Sequence, residues 1–151
     1  MNNLCADIGY RSLIKHGEQI CGDHVVITTQ GEDSTIVVLA DGLGSGVKAN
    51  ILSTLTSKII STMMAANMKL EDCVETIAAT LPVCSERGVA YSTFTIIRLV
   101  DNEEAEIIQY DNPHVILLRD GKNFEIDANG LHVRTLEIKD HDCRQYLYDR
   151  I

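Results

Sequence analysis

The stretch Ile36-Val37-Val38-Leu39-Ala40-Asp41-Gly42-Leu43-Gly44-Ser45-Gly46 constrains this chain more than any other. Its apolar half is continuous yet too short for a helix, which predicts a strand buried on both faces. The strand ends in a carboxylate and passes through glycines. Beyond them Val47, Ile51, Leu52, Leu55, Ile59, Ile60 and Met63 recur at three- and four-residue steps. That spacing predicts a helix to about Met68, with those side chains along one apolar face.

Three chemistries suit a strand, a glycine turn and a helix. A phosphate loop is one, but Gly42-x-Gly44-x-Gly46 departs from G-x-G-x-x-G and lacks Gly-Lys-Ser/Thr. Asp41 would also repel a pyrophosphate unless a cation stood between them. The second is a metal site. Cys21-Gly22-Asp23 places another carboxylate at the start of the preceding strand, and if Gln30 to Asp33 is the hairpin turn, Asp23 comes beside Asp41. Two carboxylates that close raise each other's pKa, a cost that a divalent cation removes. Hard oxygens beside exposed glycine carbonyls suit Mg²⁺ or Mn²⁺ rather than zinc. The third is structural, with the acids capping backbone groups, as a lone strand-end Asp often does.

Elsewhere, strands are expected near Cys5 to Leu13, His24 to Thr29 and Thr35 to Ala40, the three as antiparallel neighbours, and at Val89 to Val100, Glu106 to Tyr110 and Val115 to Arg119. A second helix is expected from Leu70, with Glu71 and Asp72 in its first turn and Pro82 near its end. Ser85 to Gly88 is a break, Asp120-Gly121 a tight hairpin turn, and Lys139 to Ile151 polar and patternless. Strands, two helices, then strands argue for an α+β fold with helices covering a mainly antiparallel sheet.

With 45% hydrophobic residues and two prolines, residues 1–151 read as a single globular domain. A formal charge of -9 with no basic patch argues against nucleic acid. No apolar run reaches the roughly 20 residues of a membrane span, so a soluble, cytoplasmic protein is expected. Five cysteines with no Cys-x-x-Cys pair indicate neither a disulfide framework nor structural zinc. The five histidines form no ligand pair and read as surface or turn residues, Ser45 as a helix-start hydroxyl, Met63 and Met64 as core or interface filler, and the acids from Asp101 to Glu106 as a solvated turn.

Gly22-Asp23 followed by Val38-Leu39-Ala40-Asp41-Gly42-Leu43-Gly44-Ser45-Gly46-Val47-Lys48-Ala49 resembles the metal-dependent PPM-type serine/threonine phosphatases, in their bacterial SpoIIE-like branch. Ser92-Thr93-Phe94-Thr95 resembles that family's Thr-rich central strand, and Tyr110-Asp111-Asn112-Pro113-His114-Val115-Ile116-Leu117-Leu118-Arg119 its Asn-x-Gly-x-Pro-x-x-Leu-Leu-Arg hairpin. The resemblance implies an αββα sandwich of mainly antiparallel sheets flanked by helices. It implies that Asp41 bridges two Mn²⁺ or Mg²⁺ ions, that the Gly42 carbonyl ligates one, and that Asp23 holds metal-bound water. A bridging hydroxide would then attack phosphorus in line. The implied substrate is phosphoserine or phosphothreonine on a regulatory protein of the anti-sigma-factor-antagonist type.

One ligand departs from the pattern. The family completes its first metal position with an Asp in a later Ser-Asp-Gly, which this sequence lacks; Asp120-Gly121 reads as a turn, and no hydrophobic run leads to Asp140 or Asp142. The chain is therefore expected to be a partial domain ending before the last ligands, a poor catalyst that tends to self-associate as a homodimer. A non-catalytic binding module on the same fold is the alternative.

Overall fold

Residues 5–82, 92–124, 134–137 and 146–148 are described in a computed structural model of the chain. Strands β1 (Asp23–Gln30) and β2 (Ser34–Gly42) form the expected hairpin around Gly31, whose positive φ of 65° suits a residue without Cβ. Helices α1 (Gly46–Ala65) and α2 (Leu70–Thr80) follow, then β3 (Ser92–Val100), β4 (Glu104–Tyr110), β5 (Ile116–Arg119), β6 (Lys122–Phe124), β7 (Arg134–Glu137) and β8 (Tyr146–Tyr148). One sheet runs in the order β1-β2-β3-β4-β7 and a second in the order β6-β5-β8, with every pairing antiparallel.

The α+β expectation holds, and the core explains why. On β2 the even-numbered residues Ile36, Val38 and Ala40 are fully buried, packed with Phe94 and Ile96 of β3 and Ile108 of β4 against Ile60 and Met64 of α1 and Leu70, Cys73, Val74 and Ile77 of α2. The odd-numbered Thr35, Val37, Leu39 and Asp41 are only partly buried, so β2 is closed on its helix side and half open on the other. Met64 is core filler and Met63 packs against that core, as expected.

Several expectations need correction. Residues 5–15 have no regular secondary structure, so the strand expected at Cys5 to Leu13 is absent, and among the described residues β1 has a single sheet neighbour, β2. Tyr10, Leu13 and Ile14 are exposed, and Gly9 interrupts the alternation that pairing would need. Helix α1 stops at Ala65 because Asn67 adopts the left-handed conformation at φ 60°; the Asn67 amide donates to the Met64 carbonyl and the Met68 amide to that of Met63, a Schellman closure. Strand β8 lies inside the stretch read as patternless. Glu104 and Glu106 belong to β4, where Glu106 pairs with the directly opposite Arg98 at 3.0 Å. The break at Ser85 to Gly88 and the first residues of the expected strand, Val89 to Tyr91, lie outside the described residues.

The apolar stripe of α1 divides: Ile59, Ile60 and Met63 pack in or against the core and Leu52 is partly buried, but its N-terminal members turn outward. Val47, Ile51 and Leu55 are 65%, 58% and 52% exposed, while Gly46, Ala49, Ser53, Thr56, Ser57 and Ser61 join Ile60 and Met64 on the buried side. The hydroxyls are satisfied within the helix itself, Ser53 donating to the Asn50 carbonyl, Thr56 to Leu52, Ser57 to Thr54 and Ser61 to Lys58. Small side chains let the helix axis come close to the sheet, and internal bonding removes the penalty of burying their oxygens.

Candidate functional site

Antiparallel register decides which side chains meet. Asp23 lies directly opposite Asp41, and Asp41 directly opposite Thr93, so three neighbouring strands place these residues in one row. Directly opposed residues share a face with Cβ atoms roughly 4.5–5.5 Å apart. Since Ala40 faces the helices, Asp23, Asp41 and Thr93 occupy the other face, at the end of the sheet where β2 leads into α1. Asp23 is exposed, and Asp41 and Thr93 are partly buried.

His24, one residue on, points the opposite way and lies under α1, with its Nδ1 2.8 Å from Ser57 Oγ. The Ser57 hydroxyl hydrogen is used on the Thr54 carbonyl, so the imidazole is the donor. Burial, and secondarily the Lys58 charge, push the His24 pKa below its ordinary value. His24 is thus a partly buried residue whose surroundings disfavour its charged form, rather than the surface histidine expected from sequence. His16 and His114 are exposed as expected; His132 and His141 lie outside the described residues.

The glycine turn is fixed by contacts that a side chain would block. Gly42 is buried with ordinary backbone angles, but a Cβ there would come within 2.6 Å of the Ala49 carbonyl carbon, so the first turns of α1 rest on it. Gly44 and Gly46 instead have positive φ values of 100° and 73°. The segment before β1 straps the turn from outside. Its Gly22 carbonyl accepts from the Gly42 amide at 3.3 Å, and its Cys21 carbonyl accepts from Asn50 Nδ2 at 2.8 Å. Ser45, the N-cap residue of α1, makes no capping bond; its hydroxyl donates to Glu18 Oε1 at 2.7 Å. The helix-start position of Ser45 was legible, whereas its long-range partner was not.

On the open face a further residue closes over Thr93. Asp111, at φ 51°, turns the chain after β4, and the buried Asn112 reaches back across β3. Thr93 Oγ1 donates to Asn112 Oδ1 at 2.9 Å and Asn112 Nδ2 donates to Thr95 Oγ1 at 2.9 Å. In the sequence Asn112 stands only as one residue of the hairpin motif. A polar Asn between Asp and Pro signals a turn, but nothing in the sequence says which strand it reaches.

Among the described residues no group of three or more His, Cys, Asp or Glu side chains gathers as a cation site. The Asp120-Gly121 pair is a two-residue hairpin turn between Arg119 and Lys122 with φ values of 53° and 70°, as expected, while Asp140 and Asp142 lie outside the described residues. Cys73 is buried, Cys21 partly so and Cys5 exposed, and all three are free thiols.

The sequence profile of the stage II sporulation protein E family, SpoIIE, matches residues 31–145. The chain belongs to the SpoIIE family. Solved structures agree with this SpoIIE assignment at the level of fold. The PP2C phosphatase domain and regulatory-domain fragment of the cell fate determinant SpoIIE from Bacillus subtilis superimposes with a TM-score of 0.75 at 16% identity, covering 85% of this chain and 40% of that one. RsbX in complex with magnesium gives 0.63 at 21% identity, covering 87% and 66%. The RsbU and RsbW domains of a Mycobacterium tuberculosis protein give 0.68 at 16% identity, covering 86% and 39%. This SpoIIE-family chain therefore spans less than half of the SpoIIE structure it resembles. No curated protein matches the sequence. The fold is that of the PP2C phosphatase domain of SpoIIE. No described helix is long and apolar enough to cross a membrane.

Proposed function

We propose that this chain is a metal-dependent phosphoprotein phosphatase domain that removes phosphate from phosphoserine or phosphothreonine of a regulatory protein. The observation that carries the reading is the pairing of Asp23 with Asp41 on an open sheet face beside the buried Gly42. Two carboxylates side by side repel, and a divalent cation between them turns that cost into binding. The donors available are all hard oxygens, from Asp41, Asp23 and the Gly42 carbonyl, which fits Mn²⁺ or Mg²⁺. The magnesium in the structurally similar RsbX supports that choice.

In this reading Asp41 and the Gly42 carbonyl hold the cation and Asp23 orients its surroundings. When bound, the cation supplies a lowered pKa for water and positive charge against the phosphoryl oxygens. The chain's own residues fix the acids: the hairpin register sets their separation, and α1, seated on Gly42, prevents the turn from opening. Local positive charge also reconciles a chain of net charge -9 with an anionic substrate. A regulatory protein as substrate is supported by the likeness to RsbX and to RsbU and RsbW domains; the anti-sigma-factor-antagonist type is what the family resemblance of the motifs implies.

The test is Mn²⁺ calorimetry with phosphate release from a phosphoserine peptide. Asp41→Asn is expected to abolish both, because an amide cannot neutralise a cation as a carboxylate does. Hydrolysis that continues undiminished in chelator would overturn the proposal.

A further inference from the structure

Thr93 is the row's neutral member, and its hydroxyl hydrogen is already committed. It goes to Asn112 Oδ1, and that amide is itself held in one orientation by donating from Nδ2 to Thr95 Oγ1. Thr95 is 3% and Asn112 8% exposed, so water is a poor competitor for these bonds. What Thr93 Oγ1 has left is lone pairs. Since Thr93 sits opposite Asp41 and shares its face, an oxygen that can only accept stands next to the carboxylate that sequence and register put at the centre of the site.

The turn bearing Asn112 is held separately, Gln109 Nε2 donating to the Pro113 carbonyl at 2.7 Å. At the same end of β3 and β4, on the helix side, the rings of Phe94 and Tyr110 stack with centroids 5.1 Å apart. Asn112 is therefore placed by its surroundings and does not merely fill a gap.

We propose that Asn112 is a positioning residue that fixes the hydrogen-bond polarity of Thr93, making its hydroxyl an obligate acceptor toward a divalent cation or the cation's hydration shell beside Asp41. The inference rests on the phosphatase reading above. A free threonine hydroxyl rotates and can aim its hydrogen at the cation side, which disfavours positive charge. The Asn112 clamp removes that rotamer.

A thermodynamic cycle on the whole chain tests this, with Mn²⁺ affinity from calorimetry as the readout and thermal melting as the control for folding. Thr93→Val and Asn112→Ala should each weaken Mn²⁺ binding about 10-fold, the lower end of what loss of an outer-shell partner typically costs. Thr93→Ser, which keeps the hydroxyl, should retain most of the affinity. The double variant should bind no more weakly than Thr93→Val alone, because Asn112 acts only through that hydroxyl. Additive losses, or wild-type affinity in a folded Asn112→Ala, would overturn the proposal. Where the alanine variant does not fold, Asn112→Ser enters the same cycle. Asp41→Asn separates the two levels: if it leaves Mn²⁺ affinity intact the phosphatase reading falls and this inference with it. If Asp41→Asn abolishes binding while Asn112→Ala does not, the inference alone falls.

Discussion

Gly42 and Gly44 sit two residues apart and need to be glycine for different reasons, which gives them different fates on substitution. Gly42 has ordinary backbone angles, but α1 backbone lies where its Cβ would go. Gly42→Ala must push the helix away from the sheet, and overpacking of this kind costs about 1–3 kcal/mol. Gly44 has open space around it, and Gly44→Ala pays only for a left-handed backbone at φ 100°, about 1 kcal/mol. Chemical denaturation of the two variants should rank them in that order, and Mn²⁺ affinity should fall further in Gly42→Ala because the moved turn carries the Asp41 neighbour. The acids should also rank. Asp23→Asn should weaken Mn²⁺ about 10- to 100-fold, the usual cost of an outer ligand, and Asp41→Asn more, and equal losses by calorimetry would contradict the assigned roles.

At the scale of the element, α1 shows where sequence periodicity misleads. The three- and four-residue spacing located the helix and its inner residues Ile59, Ile60 and Met63, but Val47, Ile51 and Leu55 of the same series face outward, because near the start of the helix a stripe of small and hydroxyl residues can be buried more closely than a stripe of branched ones. Hydroxyls that bond within their own helix count as polar in any pattern while behaving as small apolar groups in the core. It follows that Ile51→Lys should change stability by no more than about 0.5 kcal/mol, as surface substitutions do. Ser53→Leu, at a fully buried position, should cost about 1–3 kcal/mol. Urea midpoints of the two variants check this, and the opposite order would mean the helix packs by its apolar stripe. The hairpin of β1 and β2 was legible for the opposite reason: a short turn between two strand-forming runs leaves few registers, and the Asp23 to Asp41 pairing follows from the turn alone. Long-range partners such as Glu18 for Ser45, Ser57 for His24 and Asn112 for Thr93 carry no local signal, since each depends on packing that composition does not encode.

Across the whole molecule, bonding density is uneven. Strands β2 and β3 are paired on both sides and face the core formed with α1 and α2, whereas residues 5–15 have no regular structure and the strap from Glu18 to Gly22 is held at a few points. Native-state hydrogen exchange should therefore find the slowest amides in β2 and β3 and fast exchange before residue 16, since protection tracks the free energy of local opening. Equal protection of the two regions would count against this arrangement.

The row of Asp23, Asp41 and Thr93 also has a history in time. Its two acids belong to a single hairpin followed directly by α1, contacts of short sequence separation that form within microseconds. Thr93 and Asn112 come from beyond both helices, and loops of that length close later. A partly folded chain thus carries the charged half of the row before the clamp that sets its polarity. A cation that needs both halves stabilises only the chain in which β3 has docked, so its binding energy is drawn into the last stage of folding. On the phosphatase proposal, the supply of divalent ions in the cell would then influence how much newly made chain finishes folding.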